Sequence, residues 1–176
     1  MSQVILEIPK RTYRDIWKHL LPRKMRFEEA AFGFVQATDE SPDLAFHLTD
    51  WFPVEPDEFV HRSAHYLELT DEMRARVIKQ AHDRGASIAE FHSHLSSAQA
   101  QFSASDGAGF EEVVPHIWWR LKGKPYFAVV VSRSNFDTLA WLSDPKTPQA
   151  LMMIRVGKQL RQPTGRTLQR WRQPHE

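Results

Sequence analysis

One amphipathic helix set among strand-forming segments constrains the fold of this 176-residue chain more than any other feature. Thr70 precedes two acidic residues, apolar side chains then recur at helical spacing, and Gly85 follows the last turn. Threonine is a good N-terminal cap and glycine a good C-terminal stop, so the pattern predicts a helix between these two residues. Short apolar segments typical of strands lie on both sides of it, which predicts an α/β fold.

The remaining elements follow from periodicity. A helix is predicted at 9–22, between two prolines, and another that begins near Asp106 and that Pro115 should kink or divide. The segment 125–131 is apolar throughout and should form a hairpin with 136–142. Further strands are expected at 3–8, 29–38, 43–54, 58–69 and 86–94. We therefore expect a single α/β domain with one mixed sheet flanked by helices.

The absence of cysteine limits the chemistry that the chain can perform. It excludes disulfides, thiolate metal sites and a cysteine nucleophile, so any metal must be held by His, Asp or Glu. The N-terminal residues lack the apolar stretch of a secretory signal, and no apolar run reaches membrane-spanning length. These features predict a soluble, cytoplasmic protein without a membrane partner.

Basic residues concentrate near the C-terminus, in a predicted extension at 146–176 that follows a domain at 1–145. From residue 155 onward six basic side chains accompany a single acidic one, Glu176. One interpretation is a solvated, partly disordered end, and the other is a patch for an acidic partner or nucleic acid. Nucleic acid is the less favoured partner because glycine-rich and regularly spaced aromatic segments are missing.

The segment EFHSHLSSAQAQFSASDG, residues 90–107, contains residue types that bind zinc. His92 and His94 are two positions apart in a predicted strand, so their side chains point to the same face. Asp106 follows a loop of small polar residues, and the helix that it begins can return to the strand end. Three such ligands leave a fourth position for water, which is the arrangement of a catalytic zinc site.

Two adjacent acidic residues, Glu28 and Glu29, lead into an apolar strand. A carboxylate beside so apolar a segment is costly without a partner, which suggests that one of them belongs to the same site. Their side chains point to opposite faces if the segment is extended, so only one can reach the site. Glu90 is a third carboxylate, on the face of His92 and His94, and we interpret it as a supporting or solvated residue.

These motifs together resemble the JAMM (MPN+) family of zinc metalloproteases. The family motif is a glutamate, then His-x-His-Pro, then Ser-x-x-Asp, and the matching segments here are EEAAFGFV, HSH and FSASD. The resemblance covers residues 4–142 and implies a cytidine-deaminase-like topology with one catalytic Zn²⁺ per chain. It assigns the metal ligands to His92, His94 and Asp106, the general base to Glu29, and the residue that stabilises the oxyanion to Ser103.

The chain departs from the family pattern at three places. Leu95 replaces the proline that follows the second histidine, and Phe32 stands where glycine is usual, with Gly33 one place later. The loop before Ser103 is one residue longer than usual, so Ser105 is a rival for the same role. Loops accept such insertions at little cost, and the ligand types are all retained.

The resemblance also implies a substrate. JAMM enzymes are isopeptidases that cleave after the C-terminal glycine of ubiquitin or a ubiquitin-like modifier. A small bacterial member would act in a ubiquitin-like conjugation pathway, on a modifier with a glycine-ended tail. The activating or conjugating enzymes of that pathway would be further candidate partners. The alternative is a catalytically inactive MPN-type scaffold that binds a ubiquitin-like or sulfur-carrier protein.

Overall fold

A computed structural model of the chain describes residues 3–38, 43–96 and 98–173. The strands in these ranges are β1 (Val4–Ile8), β2 (Ala30–Thr38), β3 (Leu44–Pro53), β4 (Phe59–Arg62), β5 (Leu67–Leu69), β6 (Ser87–Ser93), β7 (Tyr126–Val131), β8 (Phe136–Trp141), β9 (Met152–Val156) and β10 (Gln159–Arg161). The α-helices are α1 (Lys10–Leu20), α2 (Asp71–Arg84), α3 (Ala104–Arg120) and α4 (Arg166–Arg172). A single 3₁₀ turn, Pro56–Glu58, precedes β4.

Eight of these strands form one mixed sheet in the order β10-β9-β1-β3-β2-β6-β7-β8. β1 is parallel to β3 and β9, and β6 is parallel to β7, whereas the other neighbouring pairs are antiparallel. Helices α2, α3 and α4 cover one face with an apolar core, and α1 covers the other face with a second core. The α/β domain with a mixed sheet flanked by helices is therefore confirmed.

Helix α2 has the ends that its sequence predicts. The Thr70 side chain accepts a hydrogen bond from the backbone N–H of Met73 at 3.1 Å. Gly85 follows the last turn with φ of 60°, a conformation that glycine adopts without the steric cost of a side chain. Met73, Val77 and Ala81 are buried along the stripe that faces the sheet.

The segment 58–69 forms two strands where one was expected. β4 and β5 pair antiparallel in a separate two-stranded sheet. The chain reverses between them, and the backbone N–H of Ser63 donates to the carbonyl of Tyr66 at 2.7 Å. The turn lies where the apolar alternation of the sequence breaks.

Helix α3 runs through Pro115 without interruption, so of the expected kink or division the division does not occur. Val114 and Ile117 are buried on either side of the proline and hold both parts of the helix against the same core. Packing therefore keeps the helix undivided in spite of the missing N–H.

The sheet continues beyond the expected boundary at residue 145. β9 pairs with β1, and its Met152 and Ile154 are fully buried, so the predicted extension is an integral part of the domain at least to Arg172. Its basic residues make contacts within the chain: Arg155 pairs with Glu7 at 2.6 Å. Residues 174–176 lie outside the described part of the chain.

In the described ranges, no helix combines the length and the apolar character needed to cross a bilayer.

Candidate metal centre

The two histidines lie at the end of a central strand. β6 pairs with β2 on one side and with β7 on the other, and His92 stands opposite Ala30. His92 is 5% exposed, and its side chain lies on the face that α2 and α3 cover. His94 follows the last residue of β6, and its backbone N–H donates to the carbonyl of Val131 at 2.9 Å, which continues the strand direction. Both imidazoles therefore point to the same side, as the sequence predicts.

The first turn of α3 brings Asp106 to the same place. Ser103 is the N-cap of the helix, and its Oγ accepts a hydrogen bond from the backbone N–H of Asp106 at 3.0 Å. The carboxylate of Asp106 in turn accepts from the backbone N–H of Ser103 at 2.7 Å. This reciprocal capping box holds the carboxylate in one orientation.

The three side chains have the spacing of a metal site. The Nε2 atoms of His92 and His94 lie 3.2 Å apart. The carboxylate oxygens of Asp106 lie 3.4 Å from the first nitrogen and 3.3 Å from the second. Tetrahedral ligands about 2.0–2.1 Å from zinc are about 3.3–3.4 Å from one another. The two imidazoles and one carboxylate, at this spacing, therefore fit a divalent metal such as zinc.

In the metal-free protein, attraction between the protonated imidazole of His92 and the carboxylate of Asp106 stabilises the cluster. Burial by itself lowers the pKa of His92, but the carboxylate of Asp106, with smaller effects of Glu90 and Glu28, raises it to about 9. Burial by itself raises the pKa of Asp106, but His92 and the hydrogen bonds from both imidazoles hold it well below its ordinary value. A metal cation would replace the imidazole proton as the positive partner of this carboxylate.

Glu28 is the carboxylate that reaches the cluster. Its side chain is buried, with the residue 4% exposed, and its Oε1 lies 3.8 Å from Nε2 of His94. Burial raises the pKa of this carboxyl group, and the two histidines offset the rise only in part. The structure therefore places a buried carboxyl group with a raised pKa beside the three candidate ligands.

The expectation that Glu29 fills this position is corrected. Glu29 points to the opposite face of the sheet, where its carboxylate pairs with Arg62 at 2.7 Å and lies 4.0 Å from His19 on α1. Its backbone is fixed there by Ser93, whose Oγ accepts from the N–H of Glu29 at 3.0 Å. Since side chains alternate along an extended segment, fixing Glu29 on this face directs Glu28 to the metal side.

Glu90 is half-buried next to His92 and lines the groove, and it does not belong to the group of three candidate ligands. Its carboxylate accepts a hydrogen bond from the hydroxyl of Tyr126. Burial raises the pKa of Glu90, and burial together with the neighbouring carboxylate raises that of Tyr126. The pair forms part of the wall next to His92, which agrees with a supporting role.

The two candidate serines differ in position. Ser103 is half-buried at the helix cap, whereas Ser105 is exposed as the second residue of the helix. Both line the groove beside the cluster.

Phe102 is a residue of the site that the sequence motifs did not single out. Its ring is fully buried, with its centroid 5.6 Å from the imidazole of His92 and 5.2 Å from the ring of Phe110. It therefore limits the movement of His92 from one side. The only local signal in the sequence is an apolar residue within a polar loop.

A groove of about 680 Å³ opens beside the cluster. Residues of strand β5 and of helices α2 and α3 line it, together with His92 and Glu90 of β6. Asp106 and Gly109 of α3 are among them, and Gly109 has open space around its Cα. Its volume lies within the range of ligand-binding pockets, about 300–1,000 Å³.

No protein-family model matches the chain, and no curated protein matches its sequence. The fold and the site define an α/β protein with a candidate metal centre built from two histidines and one aspartate.

Proposed function

We propose that the chain is a zinc-dependent isopeptidase or peptidase of the JAMM type, with a cytidine-deaminase-like arrangement of its sheet. The observation that carries the proposal is the position of Glu28. A buried carboxylate lies 3.8 Å from His94, immediately beside three side chains that have the spacing of zinc ligands. Metal-dependent hydrolases require this combination of an open metal site and a nearby base.

His92, His94 and Asp106 would hold the ion. Bound zinc would lower the pKa of water toward about 7 and polarise a peptide carbonyl. The capping box between Ser103 and Asp106 keeps the aspartate oriented for this role, and the Phe102 ring keeps His92 in place.

Glu28 would move the proton. Its carboxylate takes a proton from the attacking water as the oxygen bonds to the carbonyl carbon, and it then gives the proton to the departing nitrogen as the C–N bond breaks. The products are a carboxylate and an amine. Burial raises the pKa of Glu28, and a carboxylate with a raised pKa is a stronger base toward the attacking water.

Ser103 would stabilise the negative charge on the carbonyl oxygen. Its Oγ accepts from the N–H of Asp106, which leaves the hydroxyl hydrogen available to donate toward the groove. A donor placed in advance at a developing oxyanion lowers the barrier by a larger amount than it would in water.

The groove supports an extended, glycine-ended substrate. Within the described residues β5 pairs with β4 alone, so its other edge has backbone groups available to an added strand. Strand addition uses the peptide backbone and does not require side chains, so it accepts glycine. We infer that the substrate is a ubiquitin-like modifier of a conjugation pathway, recognised by the tail that precedes the cleaved bond.

A modifier joined through its C-terminal glycine to a reporter lysine or peptide tests the proposal. We expect cleavage after that glycine, loss of cleavage with a chelator, and recovery with Zn²⁺. Replacing the penultimate glycine of the modifier by valine should abolish cleavage if the substrate tail lies in the narrow slot that the family resemblance implies. Zinc and modifier binding without any cleavage would instead support the inactive scaffold.

A further inference from the structure

The loop that leads into the metal centre is held by the C-terminal part of the chain. Residues 98–102 have no regular secondary structure and connect β6 to α3, which carries Ser103 and Asp106. The clamp, which we define as residues 164–171, runs along this loop and includes most of α4. Several hydrogen bonds join the two segments across about 65 positions of sequence.

Both backbone groups of Phe102 are bonded to the clamp. Its N–H donates to Oγ1 of Thr167 at 2.8 Å, and its carbonyl accepts from the guanidinium of Arg170 at 2.6 Å. Two residues earlier in the loop, the carbonyl of Ala100 accepts a hydrogen bond from the hydroxyl of Thr164 at 2.7 Å. The peptide next to Ser103 therefore has its position set by α4.

A buried carboxylate anchors the clamp to the sheet. Asp137 on β8 is fully buried, and its Oδ2 accepts from both the N–H and the hydroxyl of Thr167, at 2.9 and 2.7 Å. Its Oδ1 accepts from the N–H groups of Gly165 and Thr138, at 2.9 and 3.0 Å. Because a buried carboxylate is stable only when its oxygens are bonded, α4 has one favoured position on the sheet.

The other end of α4 touches the helix that carries the metal ligand. Trp171 packs over Gly107, the residue after Asp106, so closely that a Cβ atom at this glycine would lie 3.0 Å from the indole ring. The clamp thus contacts the metal-binding segment on both sides of the Ser103–Asp106 cap.

We infer that α4 is a positioning element of the metal centre, which acts through Thr167 and Arg170 on the backbone of Phe102. Phe102 in turn packs on His92 and precedes the cap that orients Asp106. The inference rests on the proposed function in one respect, since it assumes that the cluster binds zinc. Loss of the clamp should lower zinc affinity and loosen the loop, while the sheet and the ligands stay intact.

Two buried threonines allow a matched test of the hydrogen bond between Thr167 and the backbone of Phe102. Thr167→Val removes the hydroxyl that accepts from Phe102, whereas Thr167→Ser keeps it. Thr138→Val is the control, because Thr138 is equally buried and also makes two hydrogen bonds, but to the backbone of Met152 on β9. We expect zinc affinity, measured by competition with a chromophoric chelator, to fall about 10- to 100-fold in Thr167→Val alone. The visible spectrum of the Co²⁺-loaded protein should change in the same variant.

Two exposed arginines test the hydrogen bond between Arg170 and the carbonyl of Phe102 without changing the core. Arg170→Gln removes the donor to the Phe102 carbonyl, and Arg172→Gln removes only a contact to the carbonyl of Gln149. Both residues are exposed, so both variants should fold. We expect Arg170→Gln to weaken zinc binding and Arg172→Gln to leave it unchanged. Equal affinities in these two variants, together with equal affinities in the two valine variants, would overturn the inference.

Hydrogen exchange separates this inference from the proposed function. In metal-free protein, the amides of residues 98–107 should exchange about tenfold faster in Thr167→Val than in Thr138→Val, the effect of losing about one hydrogen bond. If the protein binds zinc but has no peptidase activity, the proposed function is wrong and the positioning role of α4 still stands. If the wild-type protein has no zinc affinity, both the proposed function and the metal part of this inference are wrong. If hydrogen exchange at residues 98–107 is the same in Thr167→Val and Thr138→Val, the clamp does not hold the loop.

Discussion

The carboxylate of Glu28 lies 3.8 Å from Nε2 of His94, and the residue is 4% exposed. Glu29, its neighbour in sequence, pairs with Arg62 on the opposite side of β2. Two adjacent positions thus place one carboxylate beside the candidate metal centre and the other against Arg62, away from it. Single substitutions at Glu28 and at Glu29 can therefore test which of the two carboxylates acts at the site.

Metal content is the first prediction. We expect about one zinc ion per chain, and its loss in His94→Ala or Asp106→Ala, because each removes one of three protein ligands. The fold should survive, since the core on both faces of the sheet is apolar and independent of the ion. Elemental analysis measures the metal and circular dichroism checks the fold. The exposed His82 provides the control, and zinc retained in all variants would place the metal elsewhere.

The paired glutamates give the second prediction. Glu28→Gln should keep the fold and the zinc but lose about 10²- to 10⁴-fold in turnover, since the amide cannot take a proton. Glu29→Gln weakens the contact with Arg62 and should keep most of the activity. Steady-state cleavage of the modifier fusion measures both. Full activity of Glu28→Gln would exclude it as the base, and an inactive Glu29→Gln would restore the assignment implied by the family motif.

The serines of the helix cap give the third prediction. Ser103→Gly should lose about 10²- to 10³-fold in turnover, the scale for one oxyanion donor. Glycine replaces serine at an N-cap with a loss of only a few tenths of a kcal/mol, whereas Ser103→Ala would also cost about 1 kcal/mol of stability. Thermal unfolding of the two variants separates the cap from the catalytic role. Ser105→Ala should be nearly unchanged, and the reverse pattern would transfer the role to Ser105.

The pH dependence of stability is the fourth prediction. The pKa of His92 is raised from an ordinary value of 6.5 to about 9 in the metal-free protein. Protonated His92 therefore stabilises the fold fully below about pH 6.5, and this contribution is lost as the pH rises to about 9. We expect the melting temperature of chelator-treated protein to fall across this window, and zinc-loaded protein to lack that fall.

His92→Ala supplies the control for the pH experiment. Without the imidazole, the metal-free protein should have a flatter dependence of melting temperature on pH between about 6.5 and 9. An equally steep fall in this variant would assign the titration to another group.

Much of the site was predictable because its determinants are local. His92 and His94 share a face through the two-residue repeat of a strand, and Ser103 and Asp106 form a cap through the spacing of one helical turn. The same local rules predicted α1, α2 and the hairpin of β7 and β8. The ligand set and most elements therefore followed from neighbours in the sequence.

The sheet edge beyond residue 145 was missed because its strands are short and its composition is basic. β9 becomes a strand by pairing with β1, which lies almost 150 positions earlier. Arg155 is then half-buried against Glu7 by that pairing. Composition alone favours a solvated end for such a segment, because it contains no information about a distant partner strand.

What the sequence determined by itself was the kind of site: two imidazoles and a carboxylate at a strand end, with no sulfur ligand. The tertiary structure alone decided which glutamate joins them and what holds the loop between them. Helices cover both faces of β2, and its residues are accordingly apolar on both. The alternation of polar and apolar residues that would show which face Glu28 points to is therefore missing from the sequence. Likewise, Thr167 meets Phe102 only because the sheet order brings α4 against β8, and contacts between distant residues depend on topology rather than on local pattern.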